Sequence, residues 1–387
     1  MPVHTATADE IRAGKTTDVY FERTRRILEA RGRNPRVRAE FVAKTLPRDW
    51  PWAVLAGIEE CLAVLEERDL NVRAMAEGTL FRPLQPVLEI EGPYLEFGVL
   101  ETAVLGLLCQ ATGIATAAAR CKRLAGERQV LSFGARRLHP AVTPMVERAA
   151  YSGGCDGVSS LAGAELIQCD PSGTIPHALV LILGDTVEAA RAFHEVIEPS
   201  VPRVVLIDTF RDEKFETLRV AEALGDALEA VRLDTPSSRR GNFLELLREV
   251  RWELDLRGLG HVQLYVSGGI GEDEIEELAP LADGFGIGAA ISAAPIVDFS
   301  MDIVELEGQP LAKRGKWSGA KQVWRCDRCA KDGLLPLEQD GSACSCGGHR
   351  EPLLGPLLTE GRLVAQMPSA SAIRERTLRQ MPNVTDV

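Results

Sequence analysis

Between Gln129 and Ala294 short β-branched or apolar runs alternate with helical patterns, and this alternation leaves few architectures open to the chain. The expected strands are 129–133, 157–159, 178–183, 203–207, 230–233, 262–266 and 284–287. One helix face reads through Val187, Ala190, Phe193 and Ile197, another through Ile275, Leu278, Ala279 and Ala282. Strand and helix in steady succession means an α/β fold with a parallel sheet, and seven or eight such units closing on themselves make a (β/α) barrel. A barrel is expected here, although a doubly wound open sheet has the same periodicity.

The flanks read differently. Residues 1–125 suggest an N-terminal α+β domain, with a strand-like piece at 38–45, a helix at about 52–68 and strands around Val72 and at 87–91. It ends in a long Ala- and Leu-rich helix, 97–124, that connects to the barrel at 126–295. After Pro295 come short strands, basic turns, a cysteine cluster and a helical tail at 372–380, so 296–387 is expected as a small C-terminal region.

Two glycine-rich turns follow or continue late strands: Ser267-Gly268-Gly269 and Gly284-Phe285-Gly286-Ile287-Gly288. Glycine lets backbone N–H groups approach an anion with no Cβ in the way, and a helix starting after the turn adds its positive end. In a (β/α) barrel, phosphate is commonly gripped after the last two strands. Tight strand-to-helix turns without a ligand have the same composition.

An anion held there needs local cations, because 44 Lys and Arg against 56 Asp and Glu leave a net charge of −12. That balance argues against broad nucleic-acid binding and against attraction to anionic membranes. No signal peptide or membrane-spanning run is expected: His4, Asp9 and Glu10 occupy the start, and Gly106, Gln110 and Gly113 interrupt 103–119. A soluble, cytoplasmic protein is expected.

Active groups of such barrels sit at the C-terminal ends of strands. There the chain places Gly134-Ala135-Arg136-Arg137-Leu138-His139, whose guanidinium pair suits a planar carboxylate or a phosphate. A solvated helix start is the alternative. Asp208 and Asp234 end later strands and could take ribose hydroxyls, hold magnesium through water, or cap helices. His177, in Gly173-Thr174-Ile175-Pro176-His177, could be a ligand contact, a nucleophile or a packed histidine.

Of nine cysteines, five are scattered through apolar segments. The others form Cys326-x-x-Cys329 and Cys344-x-Cys346, two short thiolate pairs that can converge tetrahedrally on zinc. Four protein ligands leave no open position, so the metal would be structural.

Taken in order, Thr17-Asp18-Val19-Tyr20, Gly134-Ala135-Arg136-Arg137, Gly173-Thr174-Ile175-Pro176-His177, Asp208-Thr209-Phe210, Arg232-Leu233-Asp234-Thr235, the two glycine turns and Leu311-Ala312-Lys313 resemble the nicotinate phosphoribosyltransferases, in particular a shorter archaeal-like branch. The resemblance implies transfer from phosphoribosyl pyrophosphate to nicotinate. It implies Arg136 at the nicotinate carboxylate, and Tyr20 stacked on the pyridine, reaching in from a neighbouring subunit of a homo-oligomer. By the same likeness Ser267, Gly268, Gly269, Gly286 and Gly288 hold the phosphate, Asp208 and Asp234 lie near ribose and magnesium, and His177 is the histidine that ATP-using members phosphorylate. Arg137, His139, Thr174 and Arg232 complete the expected substrate contacts; Lys313 and Lys316 could meet pyrophosphate or form a solvated basic turn.

Two departures stand out. Thr235-Pro236-Ser237 lacks a second carboxylate that many relatives carry, and Ala289 stands where many have threonine. The rival readings are a quinolinate phosphoribosyltransferase, which must grip two carboxylates, and a non-catalytic zinc-ribbon binding protein on a barrel scaffold.

Overall fold

The computed structural model describes residues 3–383. They form two compact units, one of 117–294 and one that combines the segments before and after it.

In the central unit six strands form a parallel sheet in the order Gly157–Val158, Gln129–Ser132, Gly284–Ile287, Gln263–Ser267, Ala230–Leu233, Val204–Leu206. This is the circular order of a barrel with one seam left open. Among the described residues no ladder joins Gly157–Val158 to Val204–Leu206, so the expected closed barrel is not formed. The reason lies at 178–183, expected as a strand, which is a helix, His177–Leu183. It starts after Pro176 and stops at Gly184, whose φ of +80° is the left-handed conformation that ends helices. The strands are largely covered: in Val204–Leu206 all three residues are buried, as in a strand sandwiched between helices. On one face Leu131, Val204, Ala230 and Tyr265, from four different strands, pack together with Phe133 against them.

Register sets where the strands end. Ser267 pairs with Gly286, and Ile287 with Ser132, so the C-terminal ends of three strands lie level.

In the other unit a seven-stranded antiparallel sheet takes strands from both flanks: Arg36–Ala43, Asn71–Met75 and Pro86–Pro93 from the N-terminal side, Phe299–Leu306 and Leu354–Thr359 from the C-terminal side. Arg38 ties three of these strands together, bonded to Glu89 at 2.6 Å and to Glu91 and Glu305 at 2.8 Å. The helix expected at 52–68 is shorter, Ile58–Leu65, behind a strand Ala53–Val54. Gly57 separates them with φ +92°, and a side chain there would meet the Leu107 carbonyl at 2.6 Å. The expected long helix is present as Glu101–Ala125. Gly106, Gln110 and Gly113 do not interrupt it, and the stretch Tyr94–Ala125, whose most apolar 18-residue window has mean hydropathy 1.5, is long and apolar enough to cross a membrane by length and composition. In the structure 56% of its most apolar window is buried within the protein, as in a core helix.

Candidate active site

The glycine turns set the floor of the site. Gly268 and Gly269 have φ of +85° and +76°, and a Cβ on Gly268 would come within 2.9 Å of the Asp234 carbonyl. Only glycine lets the 267–269 turn lie this close to its neighbour. Gly286 faces the Phe133 ring, which a Cβ would meet at 2.5 Å. Both turns, with Arg136, Arg137 and Arg232, line one cavity of about 510 Å³. The helix dipole adds less than expected. After Gly288 the helix Ala289–Ser292 is a single turn. At the other turn Glu274 accepts the Gly271 N–H, in a first turn that is wholly acidic. What the cavity offers an anion is therefore backbone access and guanidinium groups.

A second cavity, of about 450 Å³, is lined by Arg136, Thr174, His177, Arg232, Asp234 and Ser159. A third, of about 910 Å³, is lined by His177, Asp208, Arg211, Glu213, Asp234 and Arg239. Asp234 borders all three.

Around it the polar contacts are dense. Ser267 Oγ donates to Asp234 Oδ1 at 2.6 Å, and Arg232 Nη2 reaches Oδ2 at 3.3 Å. Arg232 Nη1 donates to Thr174 Oγ1, the guanidinium lies 5.6 Å over the Phe133 ring, and its Nε is buried without a partner. His177 holds Thr209 through Nδ1 at 3.1 Å. Its Nε2 lies 3.5 Å from Asp234 and 3.8 Å from Asp208. Burial pushes the Asp208 carboxyl above its ordinary range, His177 pulls it back, and the Asp234 charge adds to the rise. Asp208 Oδ1 is buried and accepts no hydrogen bond. An acceptor-only oxygen left bare beside a second carboxylate fits a divalent cation.

Of the residues expected at the site, Arg136, Arg137, Thr174, His177, Asp208, Arg232, Asp234, Ser267, Gly268, Gly269, Gly286 and Gly288 line these three cavities. His139 does not: it is exposed and its Nδ1 accepts the Ala141 N–H, capping the next turn. Tyr20 belongs to the other unit, where it is 55% exposed on the helix Val19–Ala30 and packs on Phe21 at 4.3 Å. Phe133, Ser159, Arg211, Glu213 and Arg239 also line the cavities without having been singled out. Only Glu213 carried a usable signal, an acid at a helix start five residues past Asp208; its Oε1 accepts from Thr235 at 2.6 Å.

In the flanking unit the four C-terminal cysteines converge. The Sγ atoms of Cys326 and Cys346 are 3.5 Å apart, those of Cys329 and Cys344 3.7 Å, and all four lie within 4.8 Å of one another. A tetrahedral zinc with bonds near 2.3 Å sets its sulfurs about 3.8 Å apart. The backbone N–H of Cys346, with smaller help from the other thiols, lowers the Cys344 thiol to about 6, toward the thiolate a metal needs. Gly348 passes Cys326 Sγ where a Cβ would sit at 2.7 Å. His349 is not in the group.

Comparison with known proteins gives the family. Residues 18–112 match the family model described as quinolinate phosphoribosyl transferase, N-terminal domain, and 114–302 the C-terminal domain of the same description. The nicotinate phosphoribosyltransferase pncB2 of Mycobacterium tuberculosis is 32% identical over 333 residues, covering 80% of this chain and 68% of its own. The chain belongs to the nicotinate phosphoribosyltransferase family. A crystal structure described as nicotinate-nucleotide pyrophosphorylase from Pyrococcus furiosus shares 51% identity and superposes with a TM-score of 0.97 over 99% of this chain and 98% of that one. Human nicotinic acid phosphoribosyltransferase, 21% identical, has the same fold with a TM-score of 0.76, over 95% of this chain and 94% of its own.

Proposed function

We propose that the protein joins nicotinate to the ribose of phosphoribosyl pyrophosphate, releasing nicotinate mononucleotide and pyrophosphate in NAD salvage. The observation that carries this reading is the meeting of three cavities at Asp234. A substrate with a terminal phosphate, a central ribose and a departing diphosphate, attacked by an aromatic acid, needs three subsites around one sugar. The glycine turns hold the phosphate, Arg136 and the Arg232 guanidinium meet the nicotinate carboxylate, and the cavity with Asp208, Arg211 and Arg239 takes the leaving group.

The pyridine nitrogen is already nucleophilic, so no general base is required. The chain contributes position and charge: Asp208 and Asp234 face the ribose as positive charge develops at its anomeric carbon, and Ser267 fixes the Asp234 rotamer. Magnesium held by Asp208 and Asp234 would neutralise the diphosphate when bound. Glu213, hydrogen-bonded to Thr235, brings a carboxylate to the cavity whose usual second acid is missing from Thr235-Pro236-Ser237.

Zinc is assigned to the four-cysteine cluster as a structural ion. An assembly of at least two copies, with Tyr20 serving a neighbour's pyridine, belongs to the same reading, as does a cytoplasmic location, in keeping with nine cysteines free of disulfides. ATP stimulation through His177 is tested by trapping acid-labile phosphate on that residue; a rate independent of ATP removes it.

The deciding assay supplies nicotinate, quinolinate or nicotinamide in parallel with phosphoribosyl pyrophosphate and magnesium. Mononucleotide from nicotinate alone supports the reading. Product from quinolinate with release of carbon dioxide would move the protein to the neighbouring activity that the matching family models are named for.

A further inference from the structure

Glu147 lies on the helix Thr143–Ser152 and is 0% exposed. Among the described residues its partners are all amides and hydroxyls, from two consecutive serines. Its Oε1 accepts from Ser159 N and Ser159 Oγ, both at 3.0 Å, and from Ser160 N at 3.3 Å. Its Oε2 accepts from Ser160 N at 3.0 Å and from Ser160 Oγ. Burying a carboxylate is costly, and these hydrogen bonds offset that cost. Ser160 Oγ in turn caps the next helix at Gly163 N, 3.0 Å away. Gly163 makes room for the carboxylate, since a Cβ there would fall 2.2 Å from Glu147 Oε2.

The loop so held is a wall of the second cavity, where Ser159 stands with Arg136, Thr174 and His177. A neighbouring part of the lining docks on the same short strand: Ser172 N donates to Val158 O at 2.8 Å, and its side chain fills the space that a Cβ on Gly157 would need. With its proton given to Glu147, Ser159 Oγ presents only lone pairs to the cavity, and Thr174 Oγ1 is likewise spent on the Ile175 carbonyl. Neither hydroxyl offers its proton to an acid there, so Arg136 and Arg232 are the cavity's permanently charged donors, which favours a carboxylate beside them.

We propose that Glu147 is a positioning residue for the pyridine acid: through Ser159 and Ser160 it sets the width and polarity of that cavity without touching substrate. This rests on reading the cavity as the nicotinate site.

Three full-length variants test it: Glu147→Gln, Gly163→Ala and, as a control, Asp156→Asn, which disturbs a carboxylate bonded to Lys122 and Val130 away from the cavity. Glu147→Gln turns an acceptor toward Ser160 into a donor; Gly163→Ala displaces the native carboxylate from the other side. Both should raise KM for nicotinate by about tenfold or more while KM for phosphoribosyl pyrophosphate stays within about twofold. The control should change neither. Unchanged nicotinate KM in both folded variants, or equal rises in both constants, overturns the proposal. If the wild-type protein makes no nicotinate mononucleotide, the functional reading has failed instead. Hydrogen exchange of the Ser159 and Ser160 amides then decides the clamp: slow in the wild type and at least about tenfold faster in Glu147→Gln supports it, and equal rates refute it.

Discussion

Ser267 donates a 2.6 Å hydrogen bond to Asp234, joining the ends of two adjacent parallel strands at the point where the three cavities meet. The bond also fixes the entry to the 268–269 turn, because Gly268 stacks directly on the Asp234 carbonyl. In the proposed reading, phosphate grip and ribose contact are thereby parts of one feature.

Gly268→Ala should damage that feature selectively. Alanine at φ +85° is strained by roughly 1–2 kcal/mol, and its Cβ would press on Asp234 at 2.9 Å. Steady-state kinetics should show KM for phosphoribosyl pyrophosphate up by about tenfold, with nicotinate KM little changed. Equal effects on both substrates would detach the turn from phosphate binding.

Arg136 borders both the glycine cavity and the second cavity, and is exposed to incoming ligand. Arg136→Ala removes one charge-assisted pair, about 2–3 kcal/mol of nicotinate capture, while the melting temperature stays within about 2 °C. Unchanged nicotinate affinity would remove Arg136 from this role.

Cys329→Ser replaces a soft thiolate in the four-sulfur cluster. Metal should then be lost to mild chelation, measured as zinc per chain, and the segment around Lys321–Cys326 should become protease-sensitive. Full retention of one zinc per chain would refute the four-cysteine assignment.

Glu101 gives the flanking unit a pH response. Burial, with Asp302 and Asp18 adding to it and Lys313 opposing it, pushes its carboxyl up from 4.5 to about 7. The folded protein therefore keeps this proton where the unfolded chain loses it. Stability from this group is full below pH 4.5 and is lost as pH rises toward about 7. Melting temperatures across that window should fall in the wild type and flatten in Glu101→Gln. Parallel curves would show that Glu101 does not carry the effect.

How much of this could be read from the sequence follows from what each signal measures. Strands such as Ala230–Leu233 and Gly284–Ile287 lie where expected, because short β-branched runs between helical stretches have one stable solution, a buried parallel sheet. The run His177–Leu183 is as apolar as a strand but is a helix with Leu181 and Ile182 exposed, and periodicity cannot separate the two over seven residues. Pro176 before it and Gly184 after it were the clues. Side chains at strand ends were legible because topology alone carries them to one rim. His139 shows the limit: beside two arginines it reads as a ligand contact, yet it lines none of the three cavities and its Nδ1 caps a local turn. Glu147 was invisible for the opposite reason, since its work depends on a loop brought to it by the fold.

The most direct test measures both products of one reaction mixture containing the full chain, nicotinate, phosphoribosyl pyrophosphate and magnesium. Nicotinate mononucleotide and pyrophosphate should appear in equal amounts, and Asp234→Asn should suppress both. Absence of the mononucleotide with folded, zinc-loaded protein, or full activity in Asp234→Asn, would contradict the account.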